Sequence, residues 1–395
     1  MRREGTRSTR TDYPLMLVVV LLVVLGLMMI YSATFILRSD PAYFLKRQVL
    51  WAVLGLILLV LLARVDYREL AHLALPIMGL SFLSLVVVLF MGGNGAFRIW
   101  FLGTSVQPSE FAKLAFIIYI AAWLASKGDK IRDVTYGLIP FAVLLGIVAG
   151  LILLEPDIGT AILIMATAVA MFFISGAEIS QLFVGLMAGA PALYLMIVNS
   201  GVAMERLTSF FNLGKDTAGM DYHVVSLLSA LRAGGLTGRG LGAGQQKLFP
   251  PYVYHTDTIL SVIGEELGLI GCLAVVGLFL FIAYRGLAIS FRAPDTFGSL
   301  LAFGITCWIA FQAMIHVGGN TATIPFTGLT LPFVSYGGSS LTMCLAGVGV
   351  LVSISRLGRE RTLRTSATLA FGGRNRRPRL SGSRRRRGTS KRGRR

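Results

Sequence analysis

Ten stretches of this chain are long, apolar and almost free of charge: residues 13–35, 48–63, 70–91, 111–126, 136–154, 159–175, 181–199, 258–284, 297–317 and 340–355. A helix of about 20 such residues crosses the hydrocarbon core of a bilayer, and inside that core every backbone polar group must be satisfied within the structure. The expected fold class is therefore an all-α polytopic membrane protein with about ten transmembrane helices. Composition agrees. With 55% hydrophobic residues, 14% charged residues and a mean hydropathy of +0.72, the chain holds more apolar surface than a soluble domain of this length would bury.

Basic residues set the expected orientation. Arg2, Arg3, Arg7 and Arg10 precede the first run, Arg64 and Arg68 follow the second, Lys127, Lys130 and Arg132 follow the fourth, and Arg285 and Arg292 follow the eighth. With ten spans all of these fall on one side, which the positive-inside rule makes cytoplasmic. Both termini are then cytoplasmic, with residues 1–12 as a short leading segment. Loops 92–110, 200–256 and 318–339 become extracytoplasmic. The first run has no small-residue cleavage site after it and reads as an uncleaved signal anchor.

Most of the net charge of +18 comes from one segment: residues 356–395 carry fifteen Arg and one Lys against Glu360. This segment cannot build a core, so it is expected to be a disordered cytoplasmic tail that touches anionic lipid. Only Phe371 adds an aromatic ring there, so nucleic acid is not an expected partner. Cys272, Cys307 and Cys344 lie inside apolar runs and form neither a disulfide pattern nor a metal motif. The membrane domain is thus residues 13–355.

The outer loops carry the polar chemistry. Loop 200–256, between the seventh and eighth runs, is too long for a plain connection and is expected to be structured. It contains glycines 234, 235, 238, 240, 242 and 244 beside Arg232 and Arg239. Its amides could cradle phosphate oxygens, or the stretch could be a tight re-entrant turn packed on helices. The loop ends on Asp257, a carboxylate at the point where the chain re-enters the bilayer, where an acid is costly unless solvated, paired or used. It could also be a helix-start cap paired with His255. Before the fourth run, Pro108 suits a first helical turn, capped by Gln107 or Ser109, and Glu110 and Lys113 share a helix face. Lys113 and Arg98 would either offer positive charge to an anionic headgroup or, for Lys113, close an ion pair with Glu110. Between the ninth and tenth runs, prolines 325 and 332 and several glycines break the helix in apolar surroundings. Non-helical backbone at that depth must be buried or line a wet cavity, so Asn320, Ser335, Ser339 and Ser340 are candidate polar groups of such a cavity.

Five motifs together carry a resemblance. They are Gln-Pro-Ser-Glu-Phe-Ala-Lys (107–113), Glu-Pro-Asp-Ile-Gly-Thr-Ala (155–161), His-Thr-Asp (255–257), Ile-Gly-Glu-Glu-Leu-Gly-Leu-Ile-Gly (263–271) and Gly-Leu-Thr-Leu-Pro-Phe-Val-Ser-Tyr-Gly-Gly-Ser-Ser-Leu (328–341). In this order, over residues 13–356, the chain resembles the SEDS family (shape, elongation, division and sporulation), and its cell-division branch more than its elongation branch. The resemblance implies a bacterial inner-membrane protein of ten helices, located at the division septum, that polymerises lipid II beside a class B penicillin-binding protein. It implies that Asp257 is the essential outer aspartate. Arg47, Arg98, Glu110, Lys113, Asp157, Gly244, Gln245, Glu265, Ser335 and Ser339 match further recurrent positions of the family. The stretch before the aspartate departs from the pattern, lacking the usual glutamate and both flanking phenylalanines.

The implied chemistry is an inverting transfer of an anomeric carbon from undecaprenyl pyrophosphate to a sugar 4-hydroxyl, with Asp257 as general base. Arg47, Arg98 and Lys113 would neutralise the pyrophosphates, helped by Mg²⁺ or another divalent cation, with no protein metal motif expected. A lipid II flippase and a non-catalytic division scaffold are the alternatives.

Overall fold

A computed structural model describes residues 12–35, 40–91, 99–101, 104–155, 157–211, 220–245 and 256–372. Arg98, His255 and the segment beyond 372 lie outside the described residues. The elements are α1 (Tyr13–Thr34), α2 (Tyr43–Arg64), α3 (Arg68–His72), α4 (Ala74–Met91), β1 (Ile99–Phe101), β2 (Thr104–Val106), α5 (Pro108–Lys127), α6 (Ile139–Leu154), α7 (Ile158–Ile174) and α8 (Ile179–Asn199). They continue with α9 (Gly201–Phe211), α10 (Met220–Gly234), α11 (Ile259–Phe291), α12 (Thr296–Asn320) and α13 (Gly338–Gly372).

Every one of the ten apolar runs is helical. Among the described residues, seven helical stretches are long and apolar enough to cross a membrane: those of α1, α2, α5, α6, α11, α12 and α13. The helices of the third, sixth and seventh runs are shorter. Burial sorts the seven. About two thirds or more of the apolar windows of α5, α12 and α13 are buried, against 22% for α2 and α11. The former make the centre of the bundle and the latter its rim. Rim helices expose rows of large apolar side chains, such as Leu50, Ile57 and Leu61 on α2 and Leu269, Leu273 and Leu280 on α11. A continuous face of this kind suits lipid, not water. Small residues bring α2 and α13 together: a Cβ on Gly349 would stand 2.6 Å from the Leu59 carbonyl oxygen, and one on Gly55 would stand 2.5 Å from a Leu345 methyl.

Two features depart from the sequence reading. A short antiparallel hairpin pairs Ile99 with Val106, Trp100 with Ser105 and Phe101 with Thr104, so the chain is helical apart from this ribbon. The basic segment expected to be disordered from residue 356 is helical up to Gly372. Extending an existing helix avoids the cost of nucleation, and Arg, Leu, Glu and Ala are good helix formers.

Loop 200–256 contains two helices of its own, α9 and α10, followed by the glycine-rich turns. These turns pack into a break in α11, where Gly268 adopts φ +69°. A side chain there would overlap the Gly238 nitrogen and the Leu236 carbonyl. The break frees backbone groups and the loop takes them up: Leu269 N donates to Gly235 O (2.9 Å), Arg239 N to Glu265 O (3.0 Å) and Gly240 N to Glu266 O (3.0 Å). The opposite end is tied by Arg285 to Asp12 (2.5 Å) and by Asp295, which accepts from Tyr67 Oη (2.5 Å), Arg68 Nε (3.1 Å) and Gly298 N (2.8 Å). Burial, and then the hydrogen bond to Asp295, push the Tyr67 hydroxyl pKa upward.

Candidate functional site

The non-helical segment between α12 and α13 is the point on which the candidate residues converge. Its chain cannot be helical through Pro325 and Pro332, so its carbonyls and amides are open to side chains from other elements. Arg206 on α9 donates to Thr327 O (2.7 Å), His316 Nδ1 meets Leu329 O (2.8 Å), and Gln312 Nε2 donates to Thr330 O (2.9 Å). Gln48 on α2 brackets the far end, donating to Ser335 O (3.2 Å) and accepting from Gly337 N (3.3 Å).

Asp257 is half-buried at the mouth of this segment, just before α11. Asn320, at the end of α12, fixes it by donating to the Asp257 carbonyl (3.0 Å), and Thr256 Oγ1 donates to its carboxylate (2.9 Å). Opposite lies Gly328, with φ +77°. A Cβ there would stand 3.4 Å from Arg206 Nη2 and 3.5 Å from Asp257 Oδ2. A guanidinium and a carboxylate thus face one small gap that the absent side chain leaves open. Around it, Arg206 Nε, Thr258 Oγ1, Asn320 Oδ1 and His316 Nε2 are buried without hydrogen-bond partners. Such groups are rare in folded proteins and mark places where water or a ligand completes the bonding.

A second cluster lies behind it. Asp157 caps α7 through Thr160 N (3.0 Å) and accepts from Gln107 Nε2 (3.0 Å) and Ser109 Oγ (3.3 Å). The Gln107 backbone N–H donates to Ser339 Oγ (3.5 Å). Gln107 occupies the N-cap position of α5 with Pro108 at the first turn, but its side chain serves Asp157 and makes no cap bond. Two residues on in α7, Gly159 lies against Leu329 and the Thr327 carbonyl, which joins this cluster to the Asp257 gap. Glu155 is 5% exposed, with both carboxyl oxygens unpartnered. Its burial, with the Asp157 charge beside it, pushes its pKa up to about 7.

Several expected binding residues have other engagements. Lys113, expected at a headgroup, is completely buried. Its Nζ is 2.7 Å from Glu110 Oε2, donates to Gln312 Oε1 (3.1 Å) and lies over the Trp308 ring. The apolar centre of the bundle compels this pairing, because an unpaired ammonium there would be far too costly. Arg47 donates to Tyr43 Oη (2.6 Å) one turn away and stacks on its ring. The Ser335 hydroxyl accepts from Leu331 N (2.8 Å), closing a turn of the crossing segment.

The glycine-rich amides do bind oxyanions, but those of the protein itself. Gln245 N donates to Glu265 Oε1 (2.7 Å) and Gly242 N to Glu266 Oε2 (3.0 Å). Arg239 bridges Glu265 (3.3 Å) and the Gln245 side chain (3.2 Å), and Ser32 bonds Glu266 (2.6 Å). Gly244 packs on both carboxylates. Of the two readings of this loop, these contacts match the tight re-entrant turn, clamped by two buried acids. Arg206, Gln107, Gln312 and Gln48 were not sequence candidates for binding. Only Arg206 had a usable signal, as an Arg on a short amphipathic helix within the long loop.

Fold and site together define a multi-pass membrane protein with a charged gap built around a broken helix connection. The profile of the FtsW, RodA and SpoVE proteins, described as cell cycle proteins, matches residues 13–360, and the chain belongs to that family. Among its relatives are a probable peptidoglycan glycosyltransferase FtsW of Trichlorobacter lovleyi, 38% identical over 89% of this chain and 95% of that one, and the stage V sporulation protein E of Bacillus subtilis, 39% identical over 90% and 99%. Among solved structures, the rod shape determining protein RodA of Thermus thermophilus superposes with a TM-score of 0.65 at 30% identity, covering 88% of this chain and 97% of that one. A chain of a peptidoglycan synthase complex, described as coordinating polymerization and crosslinking, superposes with a TM-score of 0.72 at 31% identity, covering 88% and 98%.

Proposed function

We propose that this chain is a peptidoglycan glycosyltransferase of the cell-division type, polymerising lipid II into glycan strands during septal wall synthesis. The observation that carries the reading is the placement of the Asp257 carboxylate beside the Gly328 gap, with its backbone held by Asn320. Asp257 removes the proton of the acceptor 4-hydroxyl as that oxygen attacks the donor anomeric carbon from the face opposite the undecaprenyl pyrophosphate. The anomeric carbon inverts, and no covalent enzyme intermediate forms. Asn320 holds the base in register, and Asp157, Gln107 and Ser339 brace the segment that forms the opposite wall.

Among the described residues no three His, Cys, Asp or Glu side chains stand close enough to hold a metal ion. Mg²⁺ or another divalent cation on the diphosphate oxygens remains part of the proposal. Ten spans, cytoplasmic termini, an outer position for loop 200–256, a class B penicillin-binding protein as partner and a basic tail on anionic lipid complete the proposal. The fold shared with a chain of a synthase complex that couples polymerization to crosslinking supports the partner. The names of the relatives favour the division branch over the elongation branch.

The test is purified protein incubated with lipid II, with and without the partner, and run on a gel. Glycan ladders are expected. Movement of lipid II between vesicle leaflets without ladders would instead make it a flippase, and neither activity would leave a scaffold.

A further inference from the structure

We propose that Arg206 is a second catalytic residue, which binds the donor diphosphate and stabilises the oxygen that leaves the anomeric carbon; this rests on the glycosyltransferase reading above. Arg206 and Asp257 come from different elements, yet both reach the space beside Gly328, at 3.4 Å and 3.5 Å from the position of an added Cβ. The guanidinium is held in place on one side only. Its Nη1 is bonded to Thr327 O (2.7 Å), while Nε is buried without a partner. A guanidinium has five N–H donors in a rigid fork that matches phosphate oxygens, so donors remain for a ligand. The crevice around it is lined by Phe210, Val224, Ala322, Ile324 and Phe326. Apolar walls of this kind strengthen a charge interaction relative to water.

The spacing suits an in-line displacement. Both groups lie near one point, so a donor sugar beside Gly328 can meet the carboxylate and the guanidinium together. The acceptor oxygen loses its proton to Asp257 and forms the new bond to the anomeric carbon. The bond from that carbon to the diphosphate oxygen breaks, and its electron pair leaves on that oxygen. Arg206 keeps its protons and hydrogen-bonds the non-bridging phosphate oxygens, spreading the charge as it develops. Asp257 then passes its proton to water.

The test compares Arg206→Gln, Arg206→Ala and Arg206→Lys in the full chain, measuring lipid II turnover, KM and melting temperature. Arg206→Gln keeps a side-chain N–H donor and removes the charge. It should melt like the wild type, with turnover down about a hundredfold or more. Arg206→Lys should retain part of the activity, and millimolar guanidinium chloride should restore part of it to Arg206→Ala. A wild type that polymerises while Arg206→Gln stays within threefold of it would overturn the role of Arg206 and leave the glycosyltransferase reading standing. So would loss of activity in all three variants with matching loss of melting temperature and no guanidinium rescue, because Arg206 would then only brace Thr327. A wild type that makes no glycan would remove both.

Discussion

At the scale of single residues, the gap beside Gly328 depends on one missing side chain. Gly328→Ala adds a methyl between Arg206 and Asp257 at a backbone angle that costs an L residue about 1–2 kcal/mol. Turnover should fall on the order of tenfold to a hundredfold while the protein still extracts as a monodisperse species, because displacing reacting groups by an ångström is enough for that loss. Wild-type turnover in Gly328→Ala would show that the gap holds no reacting atoms. Glu155 offers a pH test. Its pKa rises from 4.5 in the unfolded chain to about 7 in the folded one. The folded state therefore binds the extra proton, and stability is fully present below about pH 4.5 and declines as pH rises through 7. Glu155→Gln should match the wild type near pH 5 and melt at a higher temperature near pH 8; equal melting curves at pH 8 would contradict the assignment. Asp257 and Asn320 were legible in the sequence because an acid or amide at a membrane boundary is costly and stands out. Arg206 was not, because only tertiary packing brings it to Asp257.

At the scale of elements, the ten apolar runs were legible because hydropathy over a span is a local property. The break in α11 and the hairpin before α5 were not, since each depends on a partner distant in sequence or on backbone pairing that composition does not encode. Lys113 illustrates the same limit. The sequence placed it beside Glu110 on one face of α5, but only the packing of α12 against α5 decides that this face is the dry centre, with Gln312 and Trp308 closing over the ammonium. Removing one partner of such a pair should cost about 3–5 kcal/mol. Lys113→Ala is expected to melt well below the wild type, whereas Lys113→Met combined with Glu110→Gln should recover most of the loss. If Lys113→Ala instead kept its melting temperature and lost lipid II affinity, the lysine would be a headgroup ligand after all.

At the scale of the whole molecule, the bundle and its basic extension do different things. The tail carries most of the net charge. Truncation after Glu360 should leave lipid II turnover in detergent unchanged and weaken association with anionic vesicles, each basic residue near the surface contributing about 1 kcal/mol. Loss of turnover in the truncated protein, with the bundle still folded, would tie the tail to catalysis. The central claim is that Asp257 is the base of an inverting glycosyl transfer. The most direct measurement is the rate of lipid II polymerisation by purified Asp257→Asn beside wild type, at equal folding and with the same partner present. Asparagine keeps the size and the backbone bond from Asn320 while removing the basic charge, so the rate should fall about a hundredfold or more. A rate within a few fold of wild type would contradict the account.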